Sequence, residues 1–203
     1  MLSLFVYAGF NGTPWEKHHQ RKNMDTYLTQ KYHTAFIMKN IDYNFLSKTY
    51  QAYSYPKGHP ELVFTVEEDI DAASGYSDSF PKVFWESELS NNLKKTIKGL
   101  FPRLDKTTFT AERIVDRGES IGPNIPTYQE MHSSQLGCSI TIFMKAKWEK
   151  VKQAAELEKM KRLSYYLKSV HFPVLIQVTY YEKKRNEKDK VFFITEDGRI
   201  VDK

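Results

Sequence analysis

The sequence predicts an α+β fold built from two small units, each with an antiparallel sheet. Helical stripes with four-residue spacing, such as Trp85, Leu89, Leu93 and Ile97, stand beside runs of strict alternation, such as Cys138, Ile140, Ile142 and Met144. Strands follow one another across short turns, as antiparallel neighbours do. Gly99 and Pro102 interrupt the chain near its middle, and 203 residues suffice for two bodies of about 100 residues each.

The first helix is expected to start at Thr13-Pro14-Trp15-Glu16. A threonine cap, a proline at the first helical position and a glutamate three residues after the cap each satisfy or avoid an orphan backbone N–H. The helix runs to about Tyr32, with Met24, Leu28 and Tyr32 inward. Three strands follow. The first sets Ile37, Ile41, Tyr43 and Phe45 on one face, and the second carries Tyr50, Tyr53 and Tyr55. After a turn at Pro56-Lys57-Gly58-His59-Pro60, the third alternates Leu62, Phe64 and Val66 with polar residues. An acidic loop from Glu67 to Asp78 leads to a second helix, which carries the Trp85–Ile97 stripe and is stopped by Gly99 and Pro102.

The second unit opens with a strand around 107–115. A glycine- and proline-rich loop from Gly118 to Pro126 then ends at a second capping pattern, Thr127-Tyr128-Gln129-Glu130, where a short helix is expected. The Cys138–Met144 strand follows. A long helix over 148–170 turns Ala154, Leu157, Met160, Leu163, Leu167 and Val170 inward. Val174, Ile176, Val178 and Tyr180 alternate along a strand, and a charged turn precedes a last strand at 191–195. The expected organisation is an apolar segment (1–12), an α-β-β-β-α domain (13–102) and a β-α-β-α-β-β domain (103–203).

Composition bounds function. Thirty Lys and Arg against 25 Asp and Glu give a net charge of +5, with both signs interspersed, so nucleic acid is not demanded. A single cysteine rules out an internal disulfide and any multi-thiolate metal site. Forty per cent apolar residues, including 13 Tyr, 13 Phe and 3 Trp, can fill a core.

Each candidate for chemistry has a structural counterpart. The run Glu67–Gly75 has acids in number, but an EF-hand loop starting at Asp69 would need a ligand where Ala73 stands, glycine where Ser74 stands and glutamate where Phe80 stands. His18 and His19 are adjacent, so they diverge by about 100° on a helix and do not form an i, i+4 metal pair. Glu130, His132 and Cys138 come nearest to a thiol site. Yet Cys138 shares its face with Ile140 and Ile142, which points to a buried, inert thiol. Lysines at 145, 147, 150, 152, 159, 161 and 168, with Arg162, make the third helix basic, while Glu149, Glu156 and Glu158 interleave as partners. Of these, Lys147, Lys150 and Lys152 are the candidate anion-binding set. No catalytic, cofactor or metal residues are assigned.

Met1–Phe10 carries no charge. It is shorter than the roughly 20 apolar residues a bilayer span needs and lacks the basic start of a signal peptide. It suits either a buried strand or the end of a longer anchor.

The residues Phe10-Asn11-Gly12-Thr13-Pro14-Trp15, Tyr27-Leu28, Lys31-Tyr32, Ile41-Asp42-Tyr43-Asn44-Phe45, Tyr50, Tyr53, Pro56-Lys57, Phe64-Thr65-Val66 and Phe84-Trp85-Glu86 resemble the YfjL-like family, uncharacterised proteins of bacilli. The likeness covers the first unit and is looser beyond Pro102. It implies a single-pass protein with an N-terminal anchor followed by two α+β domains, and it brings no catalytic residues. The lysine-rich start and full-length apolar span of that pattern do not precede Phe10 here.

Together these readings lead to a non-enzymatic, membrane-anchored interaction module at the outer face of a bacterial cell membrane. Leu2, Leu4, Phe5, Val6 and Tyr7 would meet lipid, and a protein or envelope component would be the partner. The alternative is a soluble binder of an anionic partner, RNA or lipid headgroups, through the basic helix 147–168, cytoplasmic if Met1 is the natural start.

Overall fold

The computed structural model describes residues 11–113, 121–131, 136–170, 174–182 and 189–202. Among these residues the architecture is α+β, with a four-stranded and a five-stranded sheet. The expected membrane-contacting residues Leu2, Leu4, Phe5, Val6 and Tyr7 lie outside the described residues, as does His132.

Helix α1 (Pro14–Tyr32) starts where the capping pattern places it. Thr13 and Glu16 form the reciprocal box, and Met24, Leu28 and Tyr32 are buried. The sheet beside it runs β1 (Phe36–Asn44), β2 (Thr49–Pro56), β3 (Phe64–Glu68), β4 (Tyr76–Asp78), all neighbours antiparallel. Its core joins those helix residues to Phe36, Tyr50, Ala52, Phe64, Val66 and Phe80. Edge-to-face ring contacts such as Tyr32–Phe80, at 5.0 Å between centroids, organise the middle.

The expected face of β1 is corrected by a bulge between Met38 and Asn40. One extra residue reverses which side the later residues face. Phe36 and Met38 therefore point inward before it, and Ile41 and Tyr43 after it. Ile37 is left exposed, and Phe45 lies beyond the strand, exposed in the turn. In β2, Tyr50 faces in while Tyr53 and Tyr55 face out. The acidic stretch holds the short strand β4, whose three residues are too few to show a period.

Helix α2 (Phe80–Leu100) buries Trp85, Leu89, Leu93 and Ile97 as expected. The chain divides into two compact bodies within this helix, earlier than the expected boundary near 102. Described residues up to Phe84, with 121–125, form one body, and those from Trp85 to 113, with Pro126 onward, form the other. Phe80 belongs to the first core, whereas the Trp85 stripe is buried in the second body.

The second body contains β5 (Leu104–Arg113), β6 (Leu136–Lys145), α3 (Gln153–Ser169), β7 (Leu175–Tyr181), β8 (Lys190–Ile194) and β9 (Ile200–Asp202), with the strands in sequential order. All pairs are antiparallel except β6–β7, which α3 joins as a crossover and which is parallel. Burial alternates along β6 from Leu136 through Cys138, Ile140, Ile142 and Met144.

Two expectations fail here. Thr127–Glu130 closes a single turn, in which both the Thr127 N–H and its hydroxyl donate to the Glu130 carboxylate, and the described residues 127–131 form no helix. Tyr128 alone is buried there, so a helix would have no apolar stripe to bury. The long third helix is also broken. Trp148–Lys150 forms one 3-10 turn, and Val151 is extended at φ −98°, ψ 162° before α3 begins. The Trp148 ring packs on Tyr180 and Phe192, at 4.9 and 4.6 Å between centroids, and this holds the detour. The buried face of α3 is Glu156, Met160, Leu163, Ser164 and Leu167, while Ala154 and Val170 are exposed.

Candidate functional site

The densest polar cluster of the first body surrounds Asp78, whose side chain has no exposed surface. One carboxylate oxygen accepts from the Tyr27 hydroxyl at 2.8 Å and the Lys31 ammonium at 2.7 Å. The other accepts from the Tyr32 hydroxyl at 2.8 Å and the Phe80 N–H at 3.0 Å. Lys31 also lies over both tyrosine rings. Four donors fill the roughly four lone-pair sites of a carboxylate, so no acceptor remains for a substrate proton. Burial, and then the Asp78 charge, push the Tyr27 and Tyr32 hydroxyls well above the usual tyrosine range. They stay protonated and donating. The cluster clamps α1 to β4 and to the start of α2.

Two further carboxylates are held similarly. Glu68 accepts from the Gln20 amide and the Tyr50 N–H, both at 2.6 Å. Glu156, buried in the first turn of α3, accepts from Lys159 at 2.6 Å and from the Tyr180 hydroxyl at 2.8 Å. Burial and that carboxylate push Tyr180 upward as well.

Cys138 is 8% exposed, and burial pushes its thiol up to about 11, with the Glu196 carboxylate adding to it. A protonated thiol is a poor nucleophile. Glu130, its expected companion, is engaged by Thr127.

The anion-binding set is only partly assembled. Lys147 and Lys150 both reach Glu182 at 3.1 Å, which offsets their charge locally. Lys152 instead supplies the carbonyl that accepts the first amides of α3, from Ala155 and Glu156. Sequence spacing puts the partners of these lysines within the helix, but Glu182 follows directly after β7, and no short-range spacing signals it.

An open depression of about 310 Å³ lies along the polar side of α1, lined by His18, Arg21, Lys22, Asp25 and Met38. Arg21 donates to the Met38 carbonyl at 3.0 Å. Among the described residues, no three His, Cys, Asp or Glu side chains come together as a metal site would require.

The remaining feature is one end of the first body. Helix α1 runs antiparallel to β1, since its start meets Tyr50 through a 3.0 Å bond from the Tyr50 hydroxyl to Glu16 and its end meets Phe36 through Tyr32. Tyr50 pairs with Tyr43, and Asn44 with Thr49 closes the ladder, so the turn at 45–48 projects past the helix start. Glu68 bonds Tyr50, so the β3–β4 loop leaves at the same end. Gly12, at φ +68°, delivers the chain there. A Cβ at that position would collide with the Tyr50 ring and hydroxyl.

No family model matches the chain, and no curated protein matches it. Among solved structures it is similar to a DUF5037 family protein from Ruminococcus gnavus, at 11% identity and a TM-score of 0.43, over 86% of this chain and 90% of that one.

Proposed function

We propose that this protein is a non-enzymatic binding or interaction module held at the outer face of a bacterial cell membrane. The observation that carries this reading is the uncharged run Met1–Phe10, which leads into the end of the first body where α1 begins. Supporting it, the buried carboxylates at Asp78 and Glu156 are taken up by donors that hold the fold together. The resemblance to YfjL-like proteins supplies the expectation of an anchor. Among the described residues no helix is long and apolar enough to cross a membrane, so attachment rests on the N-terminal run. The partner is a protein or an envelope component, met by the two α+β bodies.

Fractionation of cells making the natural gene product tests the proposal. The protein is expected in the membrane pellet, resisting a high-salt or carbonate wash and released by detergent. Recovery in the supernatant of a low-salt lysate would overturn it.

A further inference from the structure

Six large apolar side chains of the first body are strongly exposed among its described residues: Trp15, Ile37, Phe45, Leu46, Tyr53 and Ile70. Four of them gather at one end. Trp15 is in the first turn of α1, Phe45 and Leu46 form the β1–β2 turn, and Ile70 sits in the β3–β4 loop just past Glu68. At about 3.4 Å per strand residue, the Phe45–Leu46 turn begins within about 7 Å, along the strand, of the Tyr43–Tyr50 pair that receives the helix start. Leu46 is 80% exposed and Ile70 92%, so neither contributes to the core. Three separate elements thus bring exposed apolar residues to one end of the body, unlike surface leucines scattered singly.

We infer that this end of the first body dips Leu46, Ile70, Phe45 and Trp15 into the interface of a lipid bilayer. The inference rests on the membrane reading above and adds a second contact to it. Lipid is the favoured occupant because the chain outside the described residues, uncharged and apolar from Met1 to Phe10, joins the fold at this same end. Tryptophan at a helix start beside such a segment suits the interfacial zone, where an amphipathic ring meets headgroups.

Charge decides the kind of lipid. Lys17 and Lys48 lie at this end, and so do Glu16, Glu67, Glu68, Asp69 and Asp71. Acids outnumber bases, so attraction to anionic headgroups does not drive the contact. Apolar insertion does, and a zwitterionic surface is sufficient.

The test uses the full chain with Leu46→Cys, carrying an environment-sensitive fluorophore, and Lys57→Cys in the turn at the opposite end of the sheet as reference. The unsubstituted chain, taken through the same labelling, supplies the Cys138 background. With phosphatidylcholine vesicles, the label at 46 is expected to shift to shorter wavelength and to be quenched by lipid-borne quenchers. The label at 57 should stay aqueous. If the chain floats with vesicles while the label at 46 stays aqueous, this inference fails and attachment through the N-terminal run stands. If the chain does not float, both fail. A shift that needs phosphatidylglycerol, or that appears without vesicles as protein concentration rises, overturns the inference in favour of charge attraction or of a second copy.

Discussion

Replacing Asp78 by alanine should unfasten the first body more than any other single polar change. The substitution leaves the Tyr27 and Tyr32 hydroxyls without their acceptor and the Lys31 ammonium, 16% exposed, with the Tyr27 hydroxyl but no counter-ion, and it strips the Phe80 N–H of its cap. Removing one partner of a buried ion pair typically costs about 3–5 kcal/mol. Against a total stability of about 5–15 kcal/mol, that is a large share. For a chain of this size each kcal/mol lowers the melting temperature by about 2–4 °C, so a fall of about 6–20 °C is expected. Asp78→Asn should lose nearly as much, because its amide would turn a donor toward the Lys31 ammonium or toward the Phe80 N–H, neither of which can accept. Lys31→Met should lose less, since the carboxylate keeps three neutral donors. Urea unfolding followed by tyrosine and tryptophan emission measures all three. A loss below about 1 kcal/mol for Asp78→Ala, under the range for even one unsatisfied buried donor, would refute the clamp.

Other outcomes follow from the same reasoning. Ser54 is fully buried and its hydroxyl has no partner among the described residues, so Ser54→Ala should be neutral or stabilising by about 1 kcal/mol in the same unfolding assay. Cys138, raised from 9.0 to about 11, should react with a disulfide reagent near pH 8 about a hundredfold more slowly than the unfolded chain, from thiolate fraction alone. Equal rates would count against its burial. Tyr27, Tyr32 and Tyr180 hold their protons to higher pH when folded than when unfolded, so the folded state binds more protons above about pH 10 and stability falls as pH rises through that region. An ultraviolet titration should show these hydroxyls ionising late and together with unfolding, whereas a single ordinary class of tyrosines would contradict it.

The elements that sequence reading recovers are those with a local cause. The Thr13–Glu16 box, the Trp85 stripe and the β6 alternation each depend on residues within a few positions of one another. What it misses has a distant or singular cause. The bulge at Met38–Asn40 reverses a face without any glycine or proline to mark it, so Ile37 reads as core when it is exposed, while Phe45 falls outside because the strand ends at Asn44. The third helix breaks at Val151 because Trp148 is held by rings on β7 and β8, some 30 to 45 residues onward. The Asp78 clamp joins residues 46 to 51 positions apart. The apolar end needed the whole sheet before Leu46 and Ile70 could be placed at the same end as Trp15.

The orientation at the membrane is tested most directly by labelling lysines on intact protoplasts with a membrane-impermeant amine reagent, followed by recovery of the protein from the membrane fraction. Modification before lysis is expected at lysines of both bodies, Lys57 and Lys161 among them. Modification only after the protoplasts are broken would contradict it.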